Sequence, residues 1–245
     1  MLNNAEYCNK KFKIFYGDMI ENETTLCGLK SYVANEYFKL SKNGISVCGS
    51  RDSIQVLKFS MVGDILGIPV YVFIPNGKDT DMIKRLHETN AIINRVPHGY
   101  KSVLNKRSRD FAHENDLLHV QVGMIEDIAF KSVENFFDEN IDLSNINNDS
   151  RILFPIGSGT SFIGFCRFAK KNNIKNEIIG VKCGMSIDKI MKDNSETVSD
   201  LNIKIVESDM KYSQKFKNEL LLNETYEGKL LQYVENNDIL ISVDK

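Results

Sequence analysis

The chain has 245 residues, enough for one large core or two modest ones, and its 42% hydrophobic and 26% charged residues are ordinary for a globular protein. Lys and Arg (31) nearly balance Asp and Glu (33), so no overall field favours nucleic acid or an anionic membrane, and runs such as Lys106-Arg107 read as solvated charge. Five cysteines without C-x-x-C spacing argue against a disulfide framework and a structural zinc site, and fit a reducing cytoplasm.

No basic segment followed by an apolar run opens the chain, and no stretch reaches the ~18 apolar residues of a membrane span. The clearest pattern starts at Gly44. Residues 45–48 read as a short strand, 53–66 as a helix, and 70–74 as a buried strand. In that helix Ile54, Leu57, Met61, Val62 and Ile65 recur at three- and four-residue spacing, and Gly67, Pro69 and Pro75 punctuate the unit. The order strand–helix–strand implies a right-handed parallel crossover.

The rhythm continues with helix 82–89, strand 91–96, helix 100–115, strand 118–122 and a helix near 125–137. Residues 141–150, rich in Asn, Asp and Ser, read as a loop. A second strand–helix–strand unit then runs through strand 152–155, turn 157–161, helix 162–172 and strand 177–181. Helix 186–192, strand 203–206, a helix through 220–222, a helix 227–235 and a last strand 239–243 complete the prediction: two doubly wound α/β lobes.

The turn Gly157-Ser158-Gly159-Thr160-Ser161 lies between a strand and a helix, where backbone N–H groups and hydroxyls suit a phosphate. A tight βα turn needing glycine only for its geometry is the competing reading. Phe162 breaks G-x-G-x-x-G, and no Gly-Lys-Ser/Thr ending follows, so dinucleotides and ATP are disfavoured. His87, His98, His113 and His119 have no metal-ligand spacing, and no Gly-x-Ser-x-Gly elbow occurs.

Phe154-Pro155-Ile156-Gly157-Ser158-Gly159-Thr160 resembles the phosphate loop of pyridoxal-phosphate enzymes of the tryptophan-synthase-β type. Three further segments resemble that family in the same order. Cys27-Gly28-Leu29-Lys30 is similar to its Gly-Gly-Asn-Lys, Gly49-Ser50-Arg51-Asp52-Ser53-Ile54-Gln55 to its substrate-carboxylate loop, and Thr225-Tyr226-Glu227-Gly228-Lys229 to the Tyr-Glu-Gly-Lys of its deaminase branch. That branch holds D-cysteine desulfhydrases and aminocyclopropane-carboxylate deaminases.

The resemblance implies a pyridoxal 5'-phosphate site in the cleft between a larger cofactor lobe (1–34 with 131–245) and a smaller lobe (35–130). Lys30 would form the Schiff base, Ser53 and Gln55 would receive the substrate carboxylate, and 157–161 would hold the phosphate. Tyr226 would lie against cofactor and substrate, and Glu227 would partner the pyridine nitrogen. The implied activity is a lyase or deaminase of a small amino acid, in a cytoplasmic homodimer. A β-replacement synthase and a non-catalytic protein that keeps the scaffold stay open beside it.

Departures from the family pattern accompany these matches. Ile54 replaces an asparagine that would touch the cofactor oxygen and cannot make that bond. Arg51 and Asp52 place two charges beside the carboxylate loop, where Arg51 suits a second anionic group. The stretch from Lys30 to Ser53 is about one helical turn short. Aligned without a gap, Leu26 would stand where the lysine belongs.

Overall fold

The computed structural model describes residues 2–184 and 186–243, and divides into two compact units, Met1–Ile20 with Ala129–Lys245, and Glu21–Ile128. The first unit opens with a hairpin of β1 (Leu2–Tyr7) and β2 (Lys10–Tyr16), which the sequence patterns did not reveal. Its two-residue turn puts both Cys8 (φ 49°) and Asn9 (φ 62°) in the left-handed region, as a tight hairpin of matching twist requires. Cysteine is a rare residue there, so the usual Asn-Gly signal is missing.

The unit Glu21–Ile128 holds α1 (Leu29–Leu40), β3 (Ile45–Cys48), α2 (Ile54–Leu66), β4 (Val70–Pro75), α3 (Asp81–Leu86), β5 (Ile92–Val96), α4 (Lys101–Glu114) and β6 (Leu118–Val120). The strands form one parallel sheet in the order β5-β4-β3-β6. Alternation along β4 assigns its two faces. Val70 meets Gly63 of α2, whereas Tyr71 and Phe73 pack on Phe111 of α4 at 5.1 and 5.3 Å between ring centroids. Both faces are therefore covered, which explains why β3 is apolar or small at every position and buried throughout.

Helix α2 starts and stops where its sequence says. Ser53 is its N-cap, its Oγ accepting from Val56 N at 3.3 Å, and Gly67 ends it at φ 65°. Tyr37 and Phe38 of α1 lean on Phe59 of α2, 5.5 and 6.1 Å away.

The rest of the first unit comprises α5 (Asp127–Asn140), β7 (Ile152–Ile156), α6 (Thr160–Lys171), β8 (Ile178–Lys182), α7 (Asp188–Asp193), α8 (Ser195–Val198), β9 (Ile203–Glu207) and β10 (Ile239–Ser242). Its six-stranded sheet has the order β1-β2-β10-β7-β8-β9, parallel except for β1. The last strand thus sits between the second and the seventh. Phe154 of β7 joins Phe137, Phe162 and Phe165 on the face covered by α5 and α6. Its neighbour Leu153 faces a separate cluster with Ile14, Val181, Leu222, Leu230 and Leu240.

Helices α5 and α6 meet at Gly164, where an added Cβ would stand 2.3 Å from Val133 Cβ and 2.9 Å from Phe130 O. Alanine is the better helix former by about 1 kcal/mol, but this clash involves β-carbon and backbone that cannot swing aside. Gly164→Ala is expected to lower stability by about 1–3 kcal/mol. Denaturant titration checks it, and an unchanged or higher midpoint would sink the close-packing account.

Two expected helices are corrected. Residues 220–222 are not helical: the Asn218 side chain takes over the local backbone, its Oδ1 accepting from Leu222 N (3.0 Å) and its Nδ2 donating to Leu222 O (3.1 Å). Leu221 consequently stands at φ 56°, exposed, while Leu222 enters the core. The helix expected over 227–235 is a 3-10 helix, Glu227–Gln232, whose first five residues are all buried. Such a segment has no polar stripe to set an α-helical face.

Candidate active site

The chemistry-bearing residues fall in two groups, one in each compact unit. In the unit that contains β7, the loop 157–159 joins the end of β7 to α6. Gly159 is the N-cap of α6 at φ 96°, and an added Cβ would stand 2.9 Å from Ile190 Cγ2. Only glycine takes this conformation without strain, and it brings the start of a twelve-residue helix to the strand end. The Ser158 hydroxyl donates to Thr160 Oγ1 at 3.4 Å, so two of the three predicted hydroxyls meet at this turn.

Tyr226 and Glu227 come to that loop from the far end of the sequence. A Cβ on Gly157 would lie 3.0 Å from Tyr226 Cε1, so the tyrosine ring rests against the first glycine of the loop. Burial, then the neighbouring Tyr212 hydroxyl, holds the Tyr226 phenol well above its ordinary pKa. Glu227 is 1% exposed, and its Oε1 accepts from Val243 N at 3.2 Å, just beyond β10. The 3-10 helix that starts at Glu227 therefore anchors the carboxylate on the sheet while presenting Tyr226 to the loop.

Three neighbours here were missed in the sequence. Tyr212 shares a hydroxyl–hydroxyl hydrogen bond of 3.0 Å with Tyr226, its ring edge-on at 5.8 Å. Lys229 is fully buried, and its ammonium donates to the carbonyls of Lys211 (2.9 Å) and Tyr212 (3.4 Å). Burial lowers its pKa. Cys183 follows β8, with its thiol pushed up to about 11 by burial. Lys229 was visible within Tyr-Glu-Gly-Lys, whereas nothing local marked Tyr212, because segment 208–226 has no periodicity.

In the other unit, Lys30 lies half-buried in the first turn of α1, behind Gly28 at φ 102°. The preceding turn is fastened from two sides: Cys27 O accepts from Lys58 Nζ of α2 (2.8 Å) and from Ser31 Oγ (3.0 Å). Lys58, only 9% exposed, was also missed, since a helical lysine reads as surface.

Ser53 and Gln55 share the start of α2. The Gln55 amide is engaged at both ends by the segment after β6, donating to Gln121 O (2.8 Å) and accepting from Gly123 N (2.9 Å). Arg51 turns towards the loop after β4 and donates to Lys78 O at 2.8 Å. Gln55 therefore shapes the loop, and Ser53 caps the helix.

No protein-family model and no curated protein match the chain. Solved structures do match it. An ACC deaminase homologue superposes with a TM-score of 0.78 at 11% identity, over 96% of this chain and 84% of the other. A hydrogen sulfide-producing enzyme from Fusobacterium nucleatum gives 0.71 at 15% identity, covering 100% and 93%. O-ureido-L-serine synthase gives 0.73 at 9% identity, covering 100% and 88%. The strand–helix units, the central place of the last strand and these superpositions agree: the chain has the tryptophan-synthase-β-like α/β fold.

Proposed function

We propose that the chain is a pyridoxal-phosphate-dependent lyase or deaminase of a small amino acid. The observation that carries this reading is the juxtaposition of Tyr226 with the loop 157–161. A phosphate cradle and a buried carboxylate one residue from an aromatic wall are what this cofactor's phosphate, ring and ring nitrogen need. The donor set fits: glycine backbone at a helix start, the Ser158, Thr160 and Ser161 hydroxyls, and the buried Glu227 next to Tyr226.

When bound, the cofactor supplies an aldehyde that captures an amine and a ring that accepts electron density. The protein's own part is the following. Lys30 would supply the amine that holds the cofactor and would move a proton. Ser53 and the first turn of α2 receive the substrate carboxylate. Glu227 would partner the ring nitrogen, and Tyr226 would wall the site and exclude water. The ACC deaminase homologue and the hydrogen sulfide-producing enzyme support the lyase or deaminase reading, and O-ureido-L-serine synthase keeps a β-replacement synthase beside it. The absence of any disulfide among the described cysteines suits a cytoplasmic protein, and the resemblance implies a homodimer.

The test is direct. Purified protein mixed with pyridoxal phosphate should develop a visible absorption band that borohydride abolishes, leaving a pyridoxyl group on the Lys30 peptide by mass spectrometry. A panel of small amino acids should then release ammonia or a β-substituent. Added nucleophile incorporated into the product would favour the synthase. A protein without band, adduct or turnover would be the scaffold without the catalysis.

A further inference from the structure

The loops that follow β3 and β4, at the C-terminal edge of their parallel sheet, are tied together by Arg51. Its Nη1 donates to Lys78 O at 2.8 Å, and its own carbonyl accepts from Thr80 Oγ1 at 2.8 Å. The guanidinium packs against Gly77, where an added Cβ would be 2.3 Å from Nη1 and 2.6 Å from Cζ. Gly77, at φ 150°, leaves the space that the guanidinium fills. Arg95 of β5 takes the adjacent carbonyl, donating to Gly77 O at 3.0 Å. Two guanidinium groups thus hold consecutive carbonyls of one turn.

Their charges are treated differently. Arg95 is ion-paired to Asp79, which also lies 3.7 Å from His87 Nε2. Among the described residues no carboxylate forms an ion pair with Arg51, and its Nε and Nη2 donate to no acceptor. Arg51 is therefore half-buried, immobilised and uncompensated, two residues before the Ser53 cap of α2. A guanidinium whose rotamer is already fixed loses little further freedom on binding, and its planar fork matches an oxyanion.

We propose that Arg51 selects amino acids that carry a second anionic group, a side-chain carboxylate, phosphate or sulfonate, in addition to the α-carboxylate. This rests on the assignment of the Ser53 turn to the α-carboxylate made above, and it narrows that reading to acidic substrates. Arg51 acts as a specificity determinant at the side-chain end of the substrate.

The test is calorimetric titration of the protein, with and without bound pyridoxal phosphate, by both enantiomers of aspartate and O-phosphoserine and of their neutral partners asparagine and serine. Wild type is expected to prefer the anionic members on the order of 10- to 100-fold, the worth of one charge-assisted contact. Arg51→Gln should bring that ratio close to one, and Arg51→Lys should restore part of it, since an ammonium keeps the charge but not the fork. In turnover the ratio of kcat/KM between the two classes should fall in parallel, with thermal melting used to confirm a folded variant. Aspartate preferred over O-phosphoserine would assign a carboxylate subsite, and the reverse a phosphate subsite.

Equal affinity for the two classes, a preference that survives in Arg51→Gln, or no binding of either class would overturn the proposal. The two readings fail separately. A protein that forms the pyridoxal adduct yet ignores Arg51 keeps the function and loses the acidic subsite. One that takes no cofactor but binds acidic amino acids through Arg51 does the opposite.

Discussion

Replacing Lys30 with alanine should remove the visible band and the borohydride-trapped adduct and lower turnover by on the order of 10³-fold, within the range of a positioned acid–base group. The fold should survive. Lys30 is half-buried at the first turn of α1, where alanine is a good helix residue, and the turn before it is held by Lys58 and Ser31 through the Cys27 carbonyl. Phosphate binding should survive too, because the loop 157–161 belongs to the other compact unit. The variant would therefore retain cofactor non-covalently, seen as loss of the band without loss of binding by equilibrium dialysis. Lys39→Ala is the control, since that lysine is ion-paired to Glu36 on the outer surface of the same helix. An adduct that persists in Lys30→Ala would move the role to another lysine, whereas the alignment that places Leu26 at this position expects no adduct even in wild type.

Gly159→Val should weaken pyridoxal phosphate and inorganic phosphate about 100-fold while the protein stays folded. At φ 96° a residue with a β-carbon is strained by roughly 1–2 kcal/mol, its Cβ would stand 2.9 Å from Ile190 Cγ2, and the γ-carbons of valine add to the crowding. The strain is relieved by rotating the loop, which moves the N–H groups at the start of α6 off the phosphate. Loss of two charge-assisted hydrogen bonds at ~1.5 kcal/mol each gives about 3 kcal/mol, or the stated factor. Fluorescence titration with the cofactor and a far-ultraviolet dichroism spectrum measure the two effects. Unchanged affinity in a folded variant would show that the glycine serves only the turn.

The strand–helix units were legible because each carries its own local code. The run from Ile45 to Cys48, the Ser53 cap, the helical spacing to Leu66 and the stop at Gly67 act within a few residues of one another. The glycine turn at 157–159 was legible for the same reason. The hairpin at Cys8-Asn9 was not, because its turn uses a residue pair without the usual preference. The break at 220–222 was not, because the Asn218 side chain outbids helix propensity only once the surrounding chain is in place.

The sequence by itself determined the class of fold, the positions of most elements and the glycine turn that starts α6, since these depend on periodicity and backbone preference over short spans. Only the tertiary structure decided that Tyr226 rests on Gly157, that Glu227 hangs from Val243 beside the last strand, and that Tyr212 and Lys229 stand behind them. The same is true of Arg51, whose partner carbonyl lies 27 residues away. Those contacts join segments far apart in the chain. They are set by how strands order within a sheet and how loops fill the space beyond it, a balance of packing and hydrogen bonding that no local window contains.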